Sequence, residues 1–495
     1  MKYILSIDQS TSGTKAMLFD EQGEMAYRCS RPHKQWIDRH GYVEHDGEEI
    51  LANVFALARE AVEQSGIAPE EVVGVAVTNQ RETGIAFDRE TGKPFCRAVV
   101  WQCSRGEEVC QRPGIAKEAA AIRRISGLPL SPYFTAAKFA WLLAHEPAVK
   151  RAGEEGRLCF GTMDSFLLWH LTPSHRFATD GSNACRTQLF DMNRLAWSGE
   201  LCGLFGINPA WLPQVLDSDA RFGETDFCGL LPRPVPIHAC AGDSHASLFG
   251  HGCRHPGEGK ASYGTGSSVM LHIGSVPRLP EQGLSLSLAW MRDGQAEYVL
   301  EGNVNYSGSI IDWLVKEVGL LQSPKEAGPL AASAREEDAT CLVPAFSGLG
   351  SLYNDPGARA AFVGMSRSTG RAELVKAAEE SVAQQIADVA EAFLQAAPAL
   401  RLRFLSADGG GTGDSFLMQR QSDLLGLPLR VSALQELSGA GVAYLAGIRL
   451  GLYDEETLFA NRPSKTFTPL WDEAQRQSKR AQWREAVSRV RSHQG

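Results

Sequence analysis

Residues 3–19, YILSIDQSTSGTKAMLF, open with an apolar run that closes on Asp8, continue through Ser, Thr and Gly, and end in a second apolar run from Lys15 to Phe19. This predicts a strand, a hydroxyl-rich turn and a second strand that ends at a Gly23 turn. Downstream, Leu51, Val54, Phe55, Ala58, Ala61 and Val62 recur at helical spacing, and the apolar run Val72 to Val77 reads as a buried strand ending at Thr78-Asn79. Hairpin, helix and strand in alternation predict an α/β layer architecture, not a bundle or a sandwich. The pattern then restarts. Pro236 to Ala241 is an apolar strand ending in Gly242-Asp243, and Lys260 to Gly266 enters another Gly/Thr/Ser turn, which places a domain boundary near residue 243. A long amphipathic helix carries Leu374, Val375, Ala378, Val382, Ile386, Val389 and Phe393 on one face, and a strand from Arg403 to Ala407 runs straight into Asp408-Gly409-Gly410-Gly411. After about residue 463 the chain turns polar and charged, which predicts a terminal surface helix. No solenoid-type repeat or low-complexity tract is present.

A chain of 495 residues exceeds one ordinary core; roughly 150 residues per domain suggests about 3 domains, and two large ones fit equally well. Hydrophobic residues at 43% and charged residues at 22% exclude a disordered, collagenous or coiled-coil chain. A net charge of −9 with scattered Lys and Arg gives no positive field for nucleic acid or an anionic membrane surface, so neither is an expected partner. The 11 cysteines are odd in number and form no C-x-x-C pair, which predicts reduced thiols and no structural zinc. The apolar run after Met1-Lys2 is too short for a signal peptide, and no stretch approaches the roughly 20 apolar residues of a membrane span. The expectation is a soluble cytoplasmic protein.

Three turns built from Gly, Ser and Thr follow apolar strands: Ser10 to Thr14, Gly264 to Ser268, and Gly409 to Gly413. Such turns present backbone N–H groups and hydroxyls without bulk, as an anionic phosphate chain requires. Each alone is also an ordinary connection, and none fits a P-loop or a dinucleotide fingerprint. Recurrence in both halves is what favours a nucleotide held by two domains. Asp8, at the carboxyl end of the first strand, can organise Mg²⁺ or merely cap its own turn. Lys15 offers a cation to the same turn or a solvated strand residue. Asp243 is the candidate base for an acceptor hydroxyl, with a turn-stabilising Asp as the alternative. Arg81 and Glu82 follow the strand that ends at Thr78-Asn79, at the edge where α/β sheets bind ligands, and suit a polyhydroxylated molecule as well as a surface ion pair. Trp101 and Tyr133 add an apolar wall and a phenol, or two core aromatics.

Ten segments in collinear order resemble the FGGY family of carbohydrate kinases, among them IDQSTSGTKAMLFD, VTNQRETG, AVVWQC, PYFTAAKFAWLL, AGDSHASLFG, YGTGSSVML and FLMQRQSDLLG, from about residue 3 to residue 453. Within the family they are most similar to the glycerol-phosphorylating branch. The resemblance implies an α/β fold of two actin-like, ribonuclease H-like ATPase domains flanking a central cleft, drawn here as 1–243 and 244–460 with a surface helix over 461–495. ATP and Mg²⁺ are the implied cofactors, a small polyol or sugar the implied partner, and a homodimer or homotetramer is common in the family. By position, Asp243 matches the catalytic base and Asp8 the metal-organising carboxylate. Thr11, Ser12, Lys15, Thr265, Gly308, Gly410 and Gly411 match nucleotide-contacting positions, with Asp414 near the adenine. Arg81, Glu82, Trp101 and Tyr133 match the residues that hold the acceptor.

Departures from the pattern bear on specificity. Ser10 stands where the first phosphate turn has Gly, Asp414 where the branch has Asn, and Glu379 where the second signature is apolar. Ser244 replaces a Gln that follows the base, and Ser268 replaces a Phe after the YGTG turn. Both exchanges predict a wider, more hydroxylated pocket at Ser244 and Ser268, so the expected reaction is ATP-dependent phosphorylation of a primary hydroxyl of glycerol or a slightly longer polyol. The segment GLLPRPVP, residues 229–236, lacks the character of the family's allosteric loop, and that regulation is not expected. A ketose kinase of the xylulose or ribulose type, and a nucleotide-binding regulator without catalysis, remain the alternative readings.

Overall fold

The computed structural model describes residues 1–281, 283–350, 352–353, 355–460 and 462–492. In chain order the elements that carry the argument are β1 (Tyr3–Gln9), β2 (Gly13–Phe19), β3 (Met25–Pro32), α1 (Gly47–Gln64), β4 (Val72–Asn79), α2 (Thr135–His145), β5 (Arg221–Thr225), β6 (Val235–Gly242) and α3 (Asp243–Gly250). They continue with β7 (Glu258–Tyr263), β8 (Ser267–Gly274), β9 (Ser285–Arg292), β10 (Gln295–Val304), α4 (Gly308–Lys316), α5 (Arg371–Ala396) and β11 (Phe404–Asp408). The last are α6 (Ser415–Leu425), β12 (Leu429–Ser432), α7 (Leu437–Arg449), β13 (Ser464–Phe467) and α8 (Glu473–Val490). The chain folds as two compact α/β units, one of Met1–Gly252, Ser287–Tyr298 and Glu436–Asn461, the other of Cys253–Leu286, Val299–Gln435 and Arg462–Gly495.

The first unit is built on a sheet of order β5-β6-β4-β1-β2-β3, in which β1, β4 and β6 run parallel. Alternation along β1 assigns its two faces. Leu5 and Ile7 join the core cluster that includes Ile50, Val54, Leu57 and Ala61 of α1, whereas Ser6 donates its hydroxyl to the Gly439 carbonyl of α7 at 2.8 Å. Helix α3 crosses α7 with backbones in contact: a Cβ on Gly441 would lie 1.8 Å from the Ala246 carbonyl oxygen. The second unit repeats the plan. Its sheet holds β10, from Val299 onward, then β8-β7-β11-β12-β13, with an antiparallel β7–β8 hairpin and β11 parallel to both β7 and β12. Strands β3-β2-β1-β4-β6 and β10-β8-β7-β11-β12 therefore occupy corresponding places.

The domain limits differ from the sequence expectation. The close α3–α7 crossing keeps residues 243–252 with the first unit, and Glu436–Asn461 returns to it from far along the chain. The terminal segment holds more than a surface helix: α8 is mostly exposed, as expected, but a strand precedes it and one face turns inward. Strand β13 pairs antiparallel with β12, and α8 buries Arg480, Trp483, Ala486 and Val487 against the second unit. Arg480 is wholly buried because its guanidinium meets Asp388 at 2.5 Å and the Gln384 side chain at 2.6 Å, so a polar sequence conceals an inward face. Among the described residues no helix is long and apolar enough to cross a membrane, and all 11 cysteines are free thiols.

Candidate active site

Strand register brings the predicted residues of the first unit to one sheet edge. Asp8 lies opposite Thr78 and Gln9 opposite Asn79, while Ala241 and Gly242 pair with the same Thr78 and Asn79. The carboxyl ends of β1, β4 and β6 thus stand side by side, and Asp8, Arg81, Glu82 and Asp243 issue from them. Asp243 opens α3, its Oδ1 accepts the Ser244 N–H at 2.6 Å, and the Arg81 Nε lies 3.5 Å from the same oxygen. Gly242 is required here, since a Cβ would meet the Arg81 side chain at 2.6 Å. Ser244 follows within the first turn of α3.

Asp8 is 3% exposed, its Oδ2 pairs with Lys15 at 3.3 Å, and its Oδ1 is buried without a hydrogen-bond partner. Burial pushes the Asp8 carboxyl up to about 6 against the pull of Lys15, and Asp243 and Glu436 add to the rise. An orphaned carboxylate oxygen at a sheet edge suits a cation. Glu436, which nothing in the local sequence singles out, bridges Lys15 at 2.6 Å and Arg28 at 2.7 Å. Burial alone would lower the Lys15 ammonium; Asp8 and Glu436 outweigh it and raise its pKa above the ordinary value.

Thr11, expected to serve a phosphate chain, has its hydroxyl accepting from the Trp101 indole at 2.9 Å. The Trp101 ring in turn lies 5.5 Å from that of Tyr133, so the β1–β2 turn and the expected acceptor wall are joined. Ser10 donates its hydroxyl to the Gly13 carbonyl at 2.9 Å and is not among the residues with left-handed backbone, so Ser in place of Gly adds no strain there. Ser12 is exposed at the tip of the turn. Glu82 does take a left-handed conformation, φ 59°, which costs on the order of 1–3 kcal/mol and is held by its surroundings. Its Oε1 accepts from the Arg186 Nε at 2.6 Å, and Arg186 also reaches the Ser287 hydroxyl at 2.9 Å. Both members of this pair are buried. Sequence reading missed Arg186 and Glu436 because each acts through partners far along the chain.

In the second unit, strand ends again carry the predicted turns. Ser262 of β7 pairs with Asp408 of β11, so the Gly264–Gly266 turn and the Gly409–Gly413 loop are neighbours. The Gly308 N–H donates to the Gly264 carbonyl at 2.9 Å, and the Thr265 carbonyl accepts from the Ser307 and Ser309 N–H groups, each at 3.1 Å, which docks the turn on the start of α4. Gly410 and Gly411 begin a short 3₁₀ turn, with Gly411 against the Tyr263 Cβ. Gly409 has φ 92°, and a Cβ there would lie 2.5 Å from the Tyr263 carbonyl oxygen. Gly409→Ala is expected to lower unfolding stability by about 1–3 kcal/mol, read from a denaturant melt. An unchanged midpoint would contradict that need for glycine.

Asp414 caps α6, its Oδ1 accepting from the Phe416 and Leu417 N–H groups at 2.8 and 3.1 Å. Asn and Asp serve alike at this position, so the departure preserves the loop's anchor. Glu379 is buried nearby with Oε2 lacking a hydrogen-bond partner, and burial pushes its carboxyl up to about 8, with Asp414 adding to the rise. Ser268, expected beside the acceptor, belongs to the second unit, in β8, with its hydroxyl 3.5 Å from Glu301.

Residues 3–250 match the N-terminal domain of the FGGY family of carbohydrate kinases and residues 259–450 its C-terminal domain. The chain is 42% identical over 453 residues to glycerol kinase 1 of Thermotoga maritima, covering 92% of each. The crystal structure of Plasmodium falciparum glycerol kinase with ADP matches with a TM-score of 0.92 at 30% identity, covering 99% of this chain and 98% of that one. A ligand-bound xylulose kinase from Lactobacillus acidophilus matches with a TM-score of 0.86 at 19% identity over 99% of each chain, a likeness of fold.

Proposed function

We propose, because this chain belongs to the FGGY family of carbohydrate kinases, that it transfers the γ-phosphoryl group of ATP to a primary hydroxyl of glycerol or a slightly longer polyol. One observation carries the reading: Asp8 and Asp243 end strands on either side of β4, which itself leads into Arg81 and Glu82. A base, a cation-organising carboxylate and a donor–acceptor pair on one edge match the needs of phosphoryl transfer to an alcohol.

The acceptor oxygen bonds to the γ-phosphorus as the bond to the bridging oxygen of ADP breaks, and the hydroxyl proton passes to the Asp243 carboxylate. Arg81 at 3.5 Å and the Ser244 N–H at 2.6 Å keep that carboxylate oriented. Glu82, held by Arg186, accepts from the acceptor's other hydroxyls while Arg81 donates, and Trp101 with Tyr133 supplies the wall against its carbons. Lys15 and the N–H groups of Thr11 and Ser12, with Thr265, Gly308, Gly410 and Gly411 of the second unit, serve the nucleotide. Mg²⁺ bound with ATP would neutralise phosphate charge, and Asp8, with its orphaned Oδ1, is the residue to organise it. Because the transition state is loose, alignment and charge neutralisation do most of the work.

A panel of kcat/KM values tests the substrate. Glycerol or a four-carbon polyol is expected to exceed ketopentoses by at least about tenfold, since hydroxyl-matched sites discriminate strongly. A ketopentose at the head of the panel would favour the ketose-kinase reading, for which the small Ser244 beside the base provides room. If no polyol or sugar accelerates ADP release, the chain is a nucleotide-binding protein without this catalysis.

A further inference from the structure

Beneath the acceptor wall lies a lysine that the mechanism leaves unused. Lys138, in the first turns of α2, is 0% exposed. Its ammonium donates to the main-chain carbonyl of Tyr133 in a short hydrogen bond and to that of Phe134 at 3.3 Å. Those two residues form the corner that leads into α2, and the Tyr133 ring projects from it to within 5.2 Å of Phe134 and 5.5 Å of Trp101. Thr135, next in the chain, donates its hydroxyl to the Glu82 carbonyl at 3.2 Å. One buried cation therefore grips the corner from which the expected phenol and its neighbours are hung.

Carbonyl oxygens carry only partial charge, and the nearby Glu82 already pairs its Oε1 with Arg186. Burial pushes the Lys138 ammonium down to about 7; Glu82, Cys103 and Cys110 support its charge and Arg105 opposes it. The sign follows directly. Below about 7 the group is an ammonium with three protons to donate, and as pH rises through that value it becomes an amine with two and no charge.

We infer that Lys138 is a positioning residue of the acceptor site, holding Tyr133 against Trp101 through the two carbonyls, and that its protonated form is the one that favours polyol binding. The inference rests on the polyol-kinase reading of Arg81, Glu82, Trp101 and Tyr133. A merely structural lysine would lower stability when replaced without imposing a pH dependence on one substrate alone.

The test measures KM for glycerol and for ATP from pH 6.5 to 8.5. In the wild-type protein the glycerol KM is expected to rise by about tenfold across this window while the ATP KM stays level. Lys138→Arg, charged throughout, is expected to flatten the glycerol profile, and Lys138→Met to raise the glycerol KM several-fold at every pH with kcat less affected. Should either variant fail to fold, calorimetry of glycerol binding to the wild type at pH 7.5, in two buffers of different ionisation enthalpy, is expected to show proton uptake. A flat wild-type glycerol KM, or binding without proton exchange, overturns the inference while leaving the kinase reading intact. Absence of glycerol-dependent ADP release instead sinks the kinase reading, and this inference with it.

Discussion

Asp243→Asn is expected to leave a folded protein that binds ATP with nearly unchanged affinity and turns over about a thousandfold or more slowly. Asparagine keeps the shape of the side chain and an oxygen for the Ser244 N–H, so the first turn of α3 and the position of Arg81 survive. What disappears is the basicity that draws the proton from the acceptor, a contribution of about 10²–10⁴-fold where a general base is well placed. Calorimetry of ATP binding and a coupled assay of ADP release separate the two effects. Turnover within a few-fold of wild type would remove Asp243 from its assigned role.

Arg186→Met ranks second in expected effect. The Arg186–Glu82 pair is buried on both sides at 2.6 Å, and Glu82 is fixed in a left-handed backbone conformation that admits few side-chain alternatives. Removing the cation leaves the buried carboxylate without its hydrogen-bonded partner, with the charge of Lys138 near it, a loss of about 3–5 kcal/mol in comparable buried pairs. The urea midpoint should fall accordingly, and polyol KM should rise sharply because the unpaired group no longer holds its place. The double variant Glu82→Gln with Arg186→Met should regain much of the stability and none of the activity, since the buried charge is gone but the acceptor has lost its partner. A loss below about 1 kcal/mol in the single variant would show that the pair is not the anchor described here.

Much of this site was legible in the sequence because its residues sit at strand ends. Apolar runs closing on Asp8, Thr78-Asn79 and Gly242-Asp243 announce β1, β4 and β6, whose register then sets the edge of the candidate site. The Gly-rich loops were equally visible, and Gly409, with its left-handed backbone against Tyr263, explains why glycine stands there. What escaped was whatever depends on distant partners. Glu436 reaches Lys15 across more than four hundred residues, and Arg186 meets Glu82 across more than one hundred. The inward face of α8 escaped for a different reason: Arg480 and Trp483 are buried through hydrogen bonds to Asp388, and hydropathy does not register such burial. The α5 face, by contrast, was announced by its spacing, with Val375, Ala378, Val382, Ile386 and Val389 all buried.

The return of Glu436–Asn461 to the first unit bears on how the chain is made. During synthesis the amino-terminal half leaves the ribosome with one side of its sheet still lacking α7, the helix whose Gly439 meets Ser6 and whose Gly441 lies against α3. That side stays without its covering helix until residues 437–449 have emerged, so association with other chains competes longest at this face.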